Sequence, residues 1–360
     1  MPRVLGIDPG TVSIDVCGLD DGRLVVDRTF ATADALADPA AFLGMLEREG
    51  PVDLIAGPSG YGLPLIAARE VTEEMFRLAF LAARGEQGGI GGLRSLARAL
   101  AGSSLPVVFT PGVIHLSTVP AYRKVNRVDM GTAEKVCAAA LAISEQAERR
   151  GCAVSDVSLV LVELGGAFTA ALAVDGGQII DGLGGSSGPM GMHAAGALDG
   201  EVAFLAGEVL KSMLFGGGAS TVRGDADSRA TPDAFAAPRT ERERIAWDAY
   251  IEGVEKAVAM LMVAVPSPHE IALSGRMAHV DAVVRELARR LDARAPVRTL
   301  RGFASVAKEG AQGAALIADG LMHGAHAELV QTMALADAHG TSLDHLYVIS
   351  EAEARRRLGL

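Results

Sequence analysis

Apolar residues dominate three short stretches at about 3–8, 13–19 and 24–30, and Gly-containing turns separate them. That pattern predicts a three-stranded meander. The next stretch, DPAAFLGMLEREG (38–50), has Asp38 at an N-cap position, Pro39 at the first helical position and Gly50 as terminator, and so predicts a helix. VDLIAG (52–57) and LPVVFT (105–110) read as short buried strands, each delivering a Gly/Pro/Ser-rich loop, with helical segments between them. The second third repeats this grammar. SLVLVELGGAFTAALAVDGGQIIDGLGG (158–185) gives strand, glycine turn, strand, DGG hairpin, strand. Two meanders of one shape, each with an acid beside glycines at its first turn, predict an internal duplication. Residues 215–240 are rich in Gly, Ala, Asp, Ser and Thr without periodicity and predict a loop or lid. A long helix is expected at 241–264, a strand at EIALSG (270–275), a small-residue helix at 302–321 and a helical tail from His323 to Leu360.

Bulk properties narrow the class. A chain of 360 residues exceeds the usual single core, so two lobes around a cleft are expected. Apolar residues make up 49% and aromatics 4%, which suits a core of Val, Leu, Ile and Ala. No window reaches the ~18 uninterrupted apolar residues of a membrane span, and the N-terminus runs into a strand without a cleavable leader, so a cytoplasmic protein is expected. Cys17, Cys137 and Cys152 have neither metal-ligand spacing nor an even count, and read as free thiols. A net charge of −11 without a basic stripe excludes a nucleic-acid footprint and favours a small-molecule substrate.

The chemistry concentrates in turns. In GIDPGT (6–11), glycines let backbone N–H groups approach a phosphate because no Cβ intervenes, and Thr11 adds a hydroxyl. Asp8 would hold the accompanying Mg²⁺, in part through its water shell. The alternative is that Gly6, Asp8 and Gly10 only shape a hairpin. VELGGAFTAAL (162–172) repeats the arrangement with Glu163, Gly165, Gly166 and Thr169, so two hairpins would clamp a polyphosphate. In IALSGRMAHV (271–280), Ser274 and Gly275 form a small turn past which an adenine could slide.

The order GIDPGT, VELGGAFTA, ALSGRMA and AKEGAQGAAL resembles the acetate kinase, sugar kinase, Hsp70 and actin superfamily over roughly residues 3–320. Within it, VPAYRKVNRVDMGTAEKVCAAALA (119–142) and GGSSGPMGMHAAGALDGEVAFL (184–205) are similar to an archaeal and bacterial family labelled predicted butyrate kinase. The resemblance implies an α/β protein with a duplicated ribonuclease H-like (actin-like ATPase) fold, two lobes around a nucleotide cleft. The expected units are 1–150, 151–301 and a set of C-terminal helices, 302–360, partly returning to pack on the first lobe. The chain departs from the superfamily by carrying Glu163 where Asp is usual and Ser-Gly where Gly-Gly is commoner.

In a doubly wound fold the crevice lies beyond the carboxyl ends of the strands, where GPSGYGLP (57–64), TPGVIHLSTVPAYRK (110–124) and GGSSGPMGMH (184–193) would surround it. These loops offer Ser59, Tyr61, Ser186, Ser187 and His193 to an acceptor, although their glycines and prolines also serve as turn formers. Arg123, Lys124 and Arg127 put three cations within five residues and read as partners for an anionic acceptor. Asp129 reads either as a catalytic group or as a helix cap, and Lys135 as a phosphate ligand or a solvated charge. Asp199 reads as the cap of the next helix. The expected function is ATP- and Mg²⁺-dependent phosphoryl transfer to a small carboxylate, with Asp8, Glu163, Arg123 and Asp129 as catalytic residues. The rivals are a ligase that passes through a phosphorylated intermediate and a nucleotide-switched ATPase without a small acceptor. Ala/Leu-rich surfaces in the C-terminal third suit a homodimer.

Overall fold

A computed structural model describes the chain apart from residues 1, 11, 82–89 and 225–231. The predicted meander forms as β1 (Arg3–Pro9), β2 (Ser13–Asp20) and β3 (Arg23–Ala31), all antiparallel. Two parallel strands extend it, β4 (Leu54–Leu63) and β6 (Val107–Pro111), with the two-residue β5 (Ile66–Ala67) at the edge, giving the order β3-β2-β1-β4-β6-β5. The second sheet repeats the plan. β7 (Leu159–Leu164), β8 (Thr169–Asp175) and β9 (Gln178–Leu183) form the meander, and the parallel strands β10 (Glu270–Ser274) and β11 (Val297–Thr299) complete the order β11-β10-β7-β8-β9. The duplication and the two-lobed α/β fold are therefore as the sequence led us to expect.

Two helices lie between the sheets. Ala133–Arg150 and Glu309–Leu321 share one core with Val4, Ala56 and Val108 of the first sheet and Leu159, Leu161 and Leu172 of the second. Their small residues let the backbones touch. A Cβ on Gly313 would lie 1.7 Å from the carbonyl oxygen of Cys137, and one on Gly6 would lie 2.2 Å from Ala311 O and Ala315 N. Gly6 is thus required for packing of the helix on β1, which corrects its assignment to phosphate binding. Gly313→Ala is expected to destabilise the protein by about 3 kcal/mol, because backbone cannot yield as a side chain can. A urea midpoint lowered at constant m-value is the check.

The last of these helices starts at Glu309, later than the expected 302. Side chains capture the N–H groups that would have joined an earlier turn: the Asp27 carboxylate accepts from Ser305, Val306 and Ala307, and Gln312 Oε1 accepts from Phe303 and Ala304. Asp38 caps Pro39–Arg48 by accepting from Ala41 N, as its position predicted. The expected loop at 215–240 contains short helices at Ala219–Arg223 and Pro232–Phe235, while 225–231 lie outside the described residues. Among the described residues no helix is long and apolar enough to cross a membrane.

Candidate active site

Asp8 and Glu163 stand at matching places, each one residue before the end of the first strand of its sheet. The Ala133–Arg150 helix begins between them and carries Glu134 and Lys135 in its first turn. Lys135 Nζ lies 2.9 Å from Glu163 Oε2 and 3.2 Å from Glu134 Oε1. Burial opposes the charge on Lys135, but Glu134, Glu163 and Asp8 outweigh it and raise its pKa. The acids are affected in the opposite sense. Burial pushes Asp8 from 3.8 to about 7, with Glu134 and Asp15 adding to the rise and Lys308 and Lys135 opposing it. Burial also raises Glu163, against the compensating charge of Lys135.

The second buried helix contributes its own N-terminus. Lys308 is its N-cap residue, and its ammonium contacts Ser13 Oγ and lies 2.9 Å from Asp15 Oδ2. A Cβ on Gly310 would sit 2.6 Å from Asp8 Oδ2, so glycine there lets the first helical turn reach the carboxylate. Free N–H groups of a helix N-terminus favour negative charge, which partly offsets the burial of Asp8. Gly10 donates its N–H to Ser13 O at 2.9 Å and closes the hairpin, leaving Lys308 Nζ 3.6 Å from where its Cβ would be. Thr11, the expected hydroxyl donor of this turn, lies outside the described residues.

Around Glu163 the glycines have a steric reason. Gly275 has φ +82°, and a Cβ there would meet Glu163 Oε1 at 2.6 Å; at Gly165 it would lie 3.1 and 3.2 Å from the two carboxylate oxygens. Gly166 is more open, with the Arg276 side chain 3.7 Å from its Cβ position. Ser274 pairs in register with Glu163 and is fully buried. Thr169 does not join this turn: strand alternation buries it on the face opposite Glu163, on the side of Tyr250. Above the Ser-Gly turn, His279 Nε2 lies 3.4 Å from Glu309 Oε1, and this bond raises the histidine pKa.

A second polar cluster adjoins the first. Asp129 Oδ2 accepts from both N and Oγ of Ser186 at 2.8 Å, and Oδ1 accepts from Gly131 N at 3.2 Å. Burial raises the Asp129 pKa, and these donors oppose the rise. Ser187 Oγ donates to the Asp129 carbonyl. Asp129 therefore ties the 184–187 loop to the segment that leads into the Ala133 helix, while the helix N-cap itself is Thr132. Tyr61, near the end of β4, is buried beside Asp129 and Ser186, and Lys211 Nζ lies 4.8 Å from its ring centroid. The charge of Glu134 acts on Tyr61, Asp129 and Asp8 alike, so the two clusters are neighbours.

Other expected acceptor residues are placed elsewhere. Ser59 is buried, donating to Thr110 O and accepting from Leu63 N. Arg123 donates to Ile180 O at 2.7 Å and lies 3.6 Å from Asp181. Lys124 is buried and donates to Leu116 O at 2.8 Å; burial lowers its pKa. Arg127 lines, with Arg123, Asp181 and Met260, a separate cleft of about 140 Å³. His193 contributes main chain, donating to Ala167 O and accepting from Gly218 N. Conversely, Glu134, Asp15, Lys308 and Lys211 belong to the site and were not singled out from sequence. Glu134 carried the only available signal, an acid in the first turn of a predicted helix beside Lys135.

The donor set fits a hard cation carried by phosphates. Among the described residues no three His, Cys, Asp or Glu side chains converge to hold a metal by themselves. Asp8 and Glu163 supply oxygen donors from two sides, and Mg²⁺ characteristically completes its octahedron with water and phosphate oxygens.

The family model described as "Protein of unknown function (DUF1464)" matches residues 6–348. The chain belongs to that family. No curated protein matches it. Among solved structures, this family member is similar to a propionate kinase from Francisella tularensis subsp. tularensis SCHU S4, with TM-score 0.63 and 13% identity over 88% of this chain and 98% of that one. It is also similar to Porphyromonas gingivalis acetate kinase, with TM-score 0.60 and 13% identity over 87% and 98%. The acetate kinase from Entamoeba histolytica gives TM-score 0.58 and 13% identity over 81% and 86%. At such identity the likeness is one of fold, a two-lobed α/β fold shared with these acetate and propionate kinases.

Proposed function

We propose that this protein is an ATP-dependent phosphotransferase acting on a small carboxylate, butyrate-kinase-like in its reaction. The observation that carries the reading is the convergence of Asp8, Glu134, Lys135 and Glu163 at matched strand ends of the two lobes. Acetate and propionate kinases among the structural neighbours support a carboxylate acceptor.

Asp8 and Glu163 would hold Mg²⁺, which when bound neutralises charge on the β- and γ-phosphates. Lys135 and Lys308 would balance the charge of the phosphate oxygens, and N–H groups at the two helix N-termini would donate to them. The acceptor carboxylate oxygen forms its bond to the γ-phosphorus as the bond to the ADP oxygen breaks, giving an acyl phosphate. No general base is needed, because the nucleophile is already ionised. Positioning and charge balance supply the rate, and closure of the lobes keeps water from taking the phosphoryl group.

The test is a thermal-shift titration followed by acceptor-dependent ADP release. MgATP and MgADP should stabilise the native state by ~2.7 kcal/mol at a hundredfold excess over Kd, and Mg²⁺ alone by less. Carboxylates should then accelerate ADP release without any amine present. An amide product that needs a second substrate would favour the ligase instead, and the absence of any nucleotide shift would remove the phosphotransferase reading.

A further inference from the structure

Ser274 is small enough to let an adenine pass, but a glycine would serve that purpose better. Its hydroxyl needs a further reason. Ala272 of β10 and Leu161 of β7 share the core between the sheets, and two residues further on, by alternation, Ser274 and Glu163 face the same way. They lie in register on strands about 4.8 Å apart. Ser274 is fully buried, and its Oγ has no hydrogen-bond partner. Such a group is destabilising where it stands, and its place in a cleft points to a state in which a partner arrives. The Glu163 carboxylate reaches the same turn: Oε1 comes within 2.6 Å of where a Gly275 Cβ would be, while Oε2 faces Lys135 Nζ at 2.9 Å. Among the described residues Lys135 is the one ion-pair partner of Glu163, and it is shared with Glu134 at 3.2 Å. An arriving polyphosphate competes for that ammonium.

Resting on the phosphotransferase reading, we infer that Ser274 is a positioning residue for Glu163, its hydroxyl donating to Oε1 when the nucleotide draws Lys135 away and so aiming Oε2 at the cation. The exchange keeps a buried carboxylate hydrogen-bonded at the moment it loses its ammonium, which would otherwise strand a charge. A hydroxyl suits the task because it brings a donor without a charge: the acid stays anionic, and its second oxygen is left for the metal or its water. Two departures from the superfamily that the chain resembles then explain each other. Glu163 carries one methylene more than the usual Asp and has more freedom to swing, and the Ser that stands in place of the commoner Gly supplies the anchor that limits it.

The experiment compares wild type, Ser274→Ala, Glu163→Gln and the double variant, reading urea melts of the nucleotide-free proteins and calorimetric Kd values for MgADP and for ADP without metal. Ser274→Ala is expected to leave the nucleotide-free midpoint unchanged or raised, because no hydrogen bond is lost there. The same variant should weaken MgADP binding about 10-fold while metal-free ADP binds as before. In the Glu163→Gln background, adding Ser274→Ala should alter the MgADP Kd by no more than about 2-fold, since the hydroxyl then has no carboxylate to hold. A lowered midpoint in Ser274→Ala would mean that the hydroxyl already has a structural bond, and an equal loss of ADP affinity with and without metal would put it on the nucleotide; either result overturns the assignment. So does an unchanged MgADP Kd, or a full 10-fold loss in the Glu163→Gln background. A wild type that binds no MgADP removes the phosphotransferase reading and this assignment with it, an outcome told apart from the others because it needs no variant.

Discussion

Asp8→Asn is expected to lower carboxylate-dependent ADP release by on the order of 10³-fold while making the metal-free protein more stable. The two effects have one cause. Asp8 is buried beside Glu134 and Asp15, so its carboxyl is raised from 3.8 to about 7 in the folded protein. Between those limits the native state holds a proton that the unfolded chain has released, so metal-free stability falls as pH rises from about 4 to about 7 and the penalty is complete above that. A rise of that size caps the penalty at ~4 kcal/mol. Asparagine carries no charge to bury and removes it. Urea melts of both proteins without metal at pH 5 and pH 8 provide the check: the stability advantage of the variant should be larger at pH 8. If the variant is the less stable protein at pH 8, the carboxylate is not destabilising the native state and this account of the site fails. With MgADP present the order should reverse, because Asp8 then faces a cation and the variant cannot use it.

The fold was legible because each half announces itself through local rules. The meanders follow from apolar runs broken by Asp21-Gly22 and Gly176-Gly177, whose positive φ values these turns require. Asp8 and Glu163 stood out as acids where a turn needs only glycine. What escaped notice depends on contacts between distant segments. Gly6 looks like Gly10 in sequence, but the helix that presses on it comes some three hundred residues later. Thr169 seemed a phosphate donor until alternation along β8 turned it toward Tyr250. The Arg123, Lys124 and Arg127 group is dense in the chain, yet a four-residue helix directs Arg123 to the edge of β9 and Lys124 into the core. Glu134 had the appearance of an ordinary first-turn acid, and only the approach of two strand ends makes it central. Departures of this kind gather at the cleft, where local preference yields to the needs of a site.

Lys135→Met should show how strongly that site depends on internal charge balance. The methionine fills similar space but leaves Glu134 and Glu163 facing each other across a gap that an ammonium had bridged at 3.2 and 2.9 Å. Removing one partner from a buried ion pair strands the other, a loss of about 3–5 kcal/mol at pH 8. Glu163 is already raised by burial, and without Lys135 its pKa rises further. The unfolded chain ionises this acid near its ordinary value of 4.5, so the extra penalty accumulates above that pH. The deficit relative to wild type is therefore expected to be smaller at pH 5 than at pH 8. Adding Glu163→Gln should recover part of it, since one of the two unbalanced charges is gone. A double-mutant cycle by urea denaturation measures this coupling directly. If Lys135→Met costs less than ~1 kcal/mol at pH 8, or the second substitution recovers nothing, the ion pair is not what holds the strand ends together.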